Sequence, residues 1–120
     1  MIFVVDDEQN VRTLVERMVQ YLGYPVASAG TAEEALDKLR GLPSVSLLLT
    51  DVLLPGGLHG VALAERARAL HPGLKVLFMS GYPRNHFSGD QTLDADTHLI
   101  SKPFRREELA QRLRALLSAS

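Results

Sequence analysis

The chain has 120 residues and a nearly balanced charge, which suit one soluble domain over residues 1–120 and exclude several classes of protein. With 13 basic against 14 acidic side chains and a formal net charge of −1, it predicts no direct nucleic-acid binding, which needs a strongly basic surface. It has no cysteine, which excludes disulfides, thiolate metal sites and cysteine nucleophiles. No signal-peptide pattern or long apolar run is present, so we expect a cytoplasmic module that makes no membrane contact in this segment.

The first half of the chain alternates short apolar runs with amphipathic segments. Ile2–Val5 is a β-branched run typical of a buried strand, and residues 24–29 predict a second strand. Thr31 and Glu34 form a capping-box pattern that predicts the start of a helix. Between the two strands, apolar residues recur at helical spacing and predict a helix with one apolar stripe, ended by Gly23. That stripe comprises Val11, Leu14, Val15, Met18, Val19 and Leu22.

The second half predicts three more strands and two or three helices. Residues 83–96 contain few apolar side chains, so any helix there should be short. A final helix begins near Arg106, and its leucine spacing predicts a buried stripe of Leu109, Leu113, Leu116 and Leu117. The other predicted elements are strands over 45–49, 74–79 and 97–100 and a helix over Gly60–Leu70.

Five strands alternating with about five helices predict an α/β fold with a doubly wound parallel sheet and helices on both faces. Sheets of this kind bind ligands at the carboxyl ends of their strands, where the strand order reverses. Here those ends carry Asp6 and Asp7 after the first strand, Asp51 after the third, Ser80 after the fourth and Lys102 after the fifth. We therefore expect these side chains to converge on one edge of the sheet.

Three carboxylates at one edge of the sheet predict a site for a divalent cation. Ionised carboxylates about 4 Å apart repel each other by about 4 kcal/mol per pair at an effective dielectric constant of roughly 20. With oxygen ligands and no cysteine, the expected counter-ion is Mg²⁺. Such an ion, the Lys102 ammonium and the Ser80 hydroxyl could stabilise a phosphoryl group in transfer. Asp51 is the best-placed nucleophile and would form an acyl phosphate.

The sequence resembles the receiver domains of two-component response regulators. The matching segments are VVDDE at 4–8, LTDVLLP at 49–55, MSG at 79–81 and SKPF at 101–104. The segments around Asp51 and Ser80 are most similar to receivers at the carboxyl terminus of hybrid sensor histidine kinases, and a free-standing single-domain regulator is the alternative. The resemblance implies a flavodoxin-like sheet of strand order 2-1-3-4-5.

The resemblance also implies a role for each residue at that edge. Asp51 would accept a phosphoryl group from a histidine kinase or a histidine phosphotransfer domain, as a stoichiometric acceptor rather than an enzyme. Lys102 would contact Asp51 and then the phosphoryl oxygens, and Ser80 would move towards them after transfer. Phosphorylation would switch partner contacts, including a possible homodimer. The implied ligands of Mg²⁺ are Asp7, Asp51, the backbone carbonyl of Leu53 and, through a water molecule, Asp6.

Three departures from the family pattern leave alternative functions open, and one of them is the poor version of the fourth helix at residues 83–96. The switch aromatic of the family normally lies three residues before the lysine, where this chain has Leu99, and the loop after Asp51 is one residue longer than the common form. Leu99 keeps open a pseudo-receiver that only binds partners. A Mg²⁺-dependent hydrolase with an aspartyl nucleophile is the other alternative, but such enzymes usually carry a second acid where this chain has Leu53.

Overall fold

A five-stranded parallel sheet forms the centre of the computed structural model, which describes residues 1–54, 59–80, 98–102 and 104–118. The strand order is β2-β1-β3-β4-β5, so the predicted doubly wound architecture and strand order are confirmed. The strands are β1 (Ile2–Val5), β2 (Val26–Ala29), β3 (Leu47–Asp51), β4 (Lys75–Ser80) and β5 (Leu99–Ser101). The helices of the described residues are α1 (Gln9–Tyr21), α2 (Ala32–Gly41), α3 (Gly60–Leu70) and α4 (Arg106–Ser118).

Side chains along each central strand alternate between two apolar layers, one on each face of the sheet. In β3, Leu48 packs in the layer that includes α2 and α3, whereas Leu47 and Leu49 pack in the layer that includes α1 and α4. Strands covered on both faces need apolar side chains at consecutive positions, which explains the uninterrupted runs in the sequence. The prediction of helices on both faces is confirmed.

Helix α1 buries a narrower stripe than its sequence predicts. Val15 and Val19 are buried against the sheet, but Leu14, which belongs to the predicted apolar stripe, is 55% exposed. Successive residues of a helix are rotated by about 100°, which places Leu14 at the margin of a stripe centred on Val15. The helix ends at Tyr21. Gly23 follows with φ of +96°, a left-handed conformation that is common after helix ends, and this agrees with the predicted stop at Gly23.

The strand boundaries differ from the predicted ones where polar residues are paired. β3 was predicted over 45–49 but extends over Leu47–Asp51, because Thr50 pairs with β1 and Asp51 pairs with β4. Strand pairing, which apolar composition does not reveal, defines these ends. β2 is shorter than predicted, beginning at Val26 rather than at residue 24. The predicted bounds of β1 and α3 are confirmed.

Several predictions fall on residues outside the described ranges. They include the short helix at 83–96, the longer loop at 55–58, and Gly81 and Pro103 of the matching segments. Among the described residues, no helix is both long enough and apolar enough to cross a bilayer.

Candidate functional site

Three carboxylates meet at the carboxyl edge of the sheet. Asp6 and Asp7 directly follow β1, and Asp51 ends the neighbouring β3, whose Thr50 lies opposite Val5. One carboxylate oxygen from each aspartate lies within 4.8 Å of those of the other two. Asp6 is only 1% exposed, whereas Asp7 is exposed. The predicted convergence of these three side chains is therefore observed.

Lys102 supplies the positive charge that balances part of this cluster. Its Nζ donates hydrogen bonds to Asp6 Oδ2 at 2.8 Å and to Asp51 Oδ2 at 3.0 Å. The lysine follows β5, and its backbone N–H donates to the Ser80 carbonyl at 2.7 Å, which fixes it beside β4. Both carboxylate partners are more than four-fifths buried, so solvent screens these ion pairs far less than surface pairs.

Ser80 lies on the same edge, as predicted. It ends β4, is buried, and is paired with Ser101 of β5. Leu99, which stands at the position of the family's switch aromatic, is half-buried and packs against the apolar layer formed with α2 and α3. Its carbonyl accepts a hydrogen bond from Arg112 at 2.7 Å, which ties β5 to α4.

Gly60 positions Asp51 by allowing α3 to begin directly against the end of β3. A Cβ placed on Gly60 would lie 2.1 Å from the backbone oxygen of Asp51, a separation that no side chain can adopt. The Gly60 N–H donates to the Val52 carbonyl at 2.9 Å, which closes the connection between the two elements. Sequence reasoning placed Gly60 only at the start of a helix and missed this role. The available signal was a glycine at the first position of the helix, although glycine is a poor helix former.

Burial makes the Asp51 carboxylate harder to ionise. It raises the pKa of Asp51 from 3.8 to about 6, against the opposing effect of Lys102, and the charges of Asp6 and Asp7 add to the increase. Burial opposes the charge of Lys102 as well, but its hydrogen bonds to Asp6 and Asp51 outweigh burial and raise the pKa of Lys102. At neutral pH, the site therefore holds an ionised lysine and a carboxylate whose charge is only partly compensated.

The residues at this edge fit a hard divalent cation. The three carboxylates and the one ammonium sum to a charge of −2 when ionised, equal and opposite to that of such an ion. The donors are carboxylate oxygens, which Mg²⁺ prefers over nitrogen and sulfur. Leu53 follows Asp51 by two residues in the sequence, so its backbone carbonyl is a further candidate oxygen ligand.

An apolar cavity of about 300 Å³ opens beside Lys102. Its other lining residues come from α1 and from the segment before α4, and they include Leu14, the exposed leucine of α1. The cavity thus joins an exposed apolar surface to the lysine that contacts Asp51. Its full lining is Val11, Leu14, Val15, Met18, Lys102 and Phe104.

Comparison with known proteins places this arrangement in one family. Residues 2–114 match the family described as the response regulator receiver domain. The chain is 29% identical over 119 residues to the response regulator receiver protein CpdR of Brucella abortus, covering 99% of this chain and 98% of that protein. It is 32% identical over 117 residues to the sensor kinase CckA of the same organism, covering 97% of this chain but only 12% of the kinase.

A solved receiver structure is also similar to this chain. The receiver domain of the hybrid histidine kinase CckA superposes with a TM-score of 0.80 at 31% identity, and the match covers 97% of each chain. The similarity to a hybrid-kinase receiver that the segments around Asp51 and Ser80 predict is therefore confirmed. By its sequence, its strand order and the carboxylates at the edge of its sheet, the chain belongs to the response regulator receiver domain family of two-component systems.

Proposed function

We propose that residues 1–120 form one receiver domain that accepts a phosphoryl group on Asp51, stoichiometrically and with Mg²⁺ bound. The observation that carries the proposal is the placement of Asp51 between two further carboxylates and the ammonium of Lys102. The charge of the Asp51 carboxylate is poorly compensated, which favours its reaction as a nucleophile. The nearby Lys102 ammonium can bind the oxygens of the phosphoryl group.

The proposed step transfers phosphorus from nitrogen to oxygen. A carboxylate oxygen of Asp51 bonds to the phosphorus of a phosphohistidine, and the P–N bond breaks. The imidazole nitrogen keeps the electron pair of that bond and takes up a proton. The carboxylate must be ionised to attack, and a pKa of about 6 leaves most of it ionised at pH 7 and above.

The neighbouring residues would each bind or orient one part of the reacting group. Asp7, Asp51 and the backbone carbonyl of Leu53 would hold Mg²⁺, and Asp6 would hold it through water. Bound Mg²⁺ supplies charge stabilisation for the oxygens of the transferred phosphoryl group. Lys102 is already within hydrogen-bond distance of Asp51 and would pair with those oxygens once transfer replaces the −1 carboxylate of Asp51 by an acyl phosphate with a charge of about −2. Ser80, at the end of β4, would donate a hydrogen bond from its hydroxyl to the phosphoryl oxygens.

The proposed donor is a histidine kinase or a histidine phosphotransfer domain, in the cytoplasm. The apolar cavity beside Lys102 supports a donor surface that contacts α1, because a donor must bring its phosphorus to Asp51. Phosphorylation would then change partner contacts or the oligomeric state, with no direct binding to nucleic acid. Size-exclusion chromatography of the phosphorylated and unmodified protein measures the second of these effects.

Intact-mass spectrometry tests the proposal directly. The protein is incubated with acetyl phosphate or phosphoramidate, with and without Mg²⁺, beside Asp51→Asn. The expected result is a gain of one phosphoryl group in the wild type that requires Mg²⁺ and is absent from the variant. Asp37→Asn is the matched control, because Asp37 is an exposed aspartate on α2. It should gain the phosphoryl group as the wild type does.

Two other results would contradict the proposal. No gain of mass under any condition would favour a pseudo-receiver that only binds partners. Continuous release of inorganic phosphate from a phosphomonoester, with many turnovers per protein, would favour the Mg²⁺-dependent hydrolase.

A further inference from the structure

Arg12 on α1 contacts the backbone of the acidic segment rather than its carboxylates. Its Nη1 donates a hydrogen bond of 2.8 Å to the carbonyl oxygen of Asp6. The guanidinium also lies against Gly30, since a Cβ placed on that glycine would be 3.0 Å from Arg12 Nη1. Arg12 therefore joins the segment after β1 to the turn before α2.

The turn on the far side of Arg12 is itself fixed by hydrogen bonds. Glu34 accepts from the Gly30 N–H at 2.9 Å, and its own N–H donates to the Thr31 hydroxyl at 3.1 Å. The Gly30 N–H, followed by Lys38 and by a smaller effect of Arg12, holds the pKa of Glu34 below its usual value. The Glu34 carboxylate is consequently ionised at neutral pH and attracts the Arg12 guanidinium. The hydrogen-bonded turn therefore restrains Arg12.

Arg12 contacts the peptide unit that links Asp6 to Asp7. Asp6 is restrained at every polar group: Oδ1 accepts from the Glu8 N–H at 2.9 Å, Oδ2 from Lys102, and its N–H donates to Ala29 at 3.3 Å. In the described part of the chain, the Asp7 carboxylate has no hydrogen-bond or ion-pair partner. Its position is set by the backbone, and the Asp6 carbonyl belongs to the peptide unit that carries Asp7.

We propose that Arg12 is a positioning residue that aims the Asp7 carboxylate at the metal by holding the Asp6–Asp7 peptide unit against the turn at 30–34. The inference rests on the proposed function, because it concerns the affinity of the same site for Mg²⁺. Residues that orient metal ligands without touching the metal typically change its affinity by about 10- to 100-fold when they are replaced.

The charge of Arg12 predicts the opposite effect, which makes the inference easy to test. A guanidinium bonded to the Asp6 carbonyl repels a divalent cation bound at the neighbouring carboxylates, so its removal would tighten Mg²⁺ binding if charge alone mattered. Positioning predicts that removal weakens binding. The sign of the change therefore separates the two effects without reference to its size.

The experiment is a Mg²⁺ titration of the unphosphorylated protein, followed through backbone amide shifts in ¹⁵N-labelled samples. It compares the wild type, Arg12→Met, Arg12→Lys and the control Arg17→Met, which removes the same charge from an exposed position of α1. We expect Arg12→Met to bind Mg²⁺ about tenfold more weakly. Arg12→Lys, which keeps the charge but has a single donor group, should lie between it and the wild type, and Arg17→Met should match the wild type.

The same spectra provide a second reading. In the wild type, Mg²⁺ should shift the amide of Gly30 through Arg12, and this shift should disappear in Arg12→Met. Equal or tighter binding by Arg12→Met would overturn the inference alone. If Arg12→Met does not fold, Arg12→Lys decides, since an affinity equal to that of the wild type would overturn the inference. A wild type that takes up no Mg²⁺ would overturn the metal site of the proposed function instead.

Discussion

Strand β3 crosses two regions of the molecule whose side chains are stabilised in different ways. Leu47, Leu48 and Leu49 lie in the interior of the sheet, fully buried between two apolar layers. Asp51, two residues further on, lies at the carboxyl edge, where it is 14% exposed beside two carboxylates and one ammonium. Burial therefore stabilises the folded state in the first region, but at neutral pH it destabilises that state in the second. Under the proposed function, the edge would keep these unfavourable charges in order to bind Mg²⁺, and the interior would provide the stability that this requires.

Truncation in the interior should have the largest effect. Leu48→Ala removes a fully buried side chain and leaves a cavity, so we expect a loss of about 2–5 kcal/mol in the free energy of unfolding. Urea denaturation measures it. Leu70→Ala, at an exposed position of α3, should change stability by less than about 0.5 kcal/mol. Equal losses in the two variants would contradict the assignment of Leu48 to the core.

Gly60→Ala attacks the boundary between the two regions. The new Cβ would overlap the Asp51 carbonyl, so α3 or the end of β3 must move, and we expect a loss of about 3 kcal/mol together with slower phosphorylation by acetyl phosphate. Gly41→Ala is the matched control, because a Cβ there meets nothing within 4 Å. Phosphorylation at the wild-type rate in Gly60→Ala would show that this close approach does not position Asp51.

Removing the charge of Asp51 should stabilise the folded protein, whereas the two preceding substitutions destabilise it. Between the ordinary carboxyl pKa of 3.8 and the value of about 6 for Asp51, the difference corresponds to about 3 kcal/mol at 1.36 kcal/mol per unit. Asp51→Asn should therefore raise the free energy of unfolding at pH 7.5 by up to about 3 kcal/mol in the presence of EDTA. Asp37→Asn, at an exposed site, should raise it far less. A destabilised Asp51→Asn would contradict this account of the edge.

The pH dependence of that gain follows from the direction of the shift. Because the folded protein holds the Asp51 proton more tightly than the unfolded chain, the contribution of this group to stability is complete below about pH 4 and is lost as the pH rises through about 6. The difference in stability between Asp51→Asn and the wild type should accordingly grow from pH 4 to pH 7 and then level off. Urea denaturation across this range measures it, and a difference that is independent of pH would contradict the raised pKa.

The smallest expected effect concerns an apolar residue that lies outside the interior. Leu14→Ala should slow phosphotransfer from a histidine phosphotransfer domain by about fivefold, the equivalent of about 1 kcal/mol at a protein interface. Its reaction with acetyl phosphate, which needs no docking surface, should be unchanged. Leu70→Ala is again the control. If Leu14→Ala reacts at the wild-type rate with both phosphodonors, α1 does not belong to the proposed donor surface.

The fold could be predicted from the sequence because its signals are local. Apolar runs marked the strands of a sheet covered on both faces, and the Thr31 cap lies where its pattern predicts. The boundaries of β3 could not be predicted, because Thr50 and Asp51 belong to that strand through pairing with neighbouring strands. The exposure of Leu14 could not be predicted, since periodicity gives the centre of a helical stripe more accurately than its margin.

For the site, the sequence by itself determined which chemical groups are available and, through the order of strands and loops, that they lie at one edge. Asp6, Asp7, Asp51 and Lys102 could be identified because parallel strands bring their carboxyl ends together. Only the tertiary structure decided how these groups are held: the bonds of Lys102, the close approach of Gly60 and the contact of Arg12 with the Asp6 carbonyl. Burial, and with it the raised pKa of Asp51, depends on atoms from segments far apart in the chain, and no local pattern records those distances.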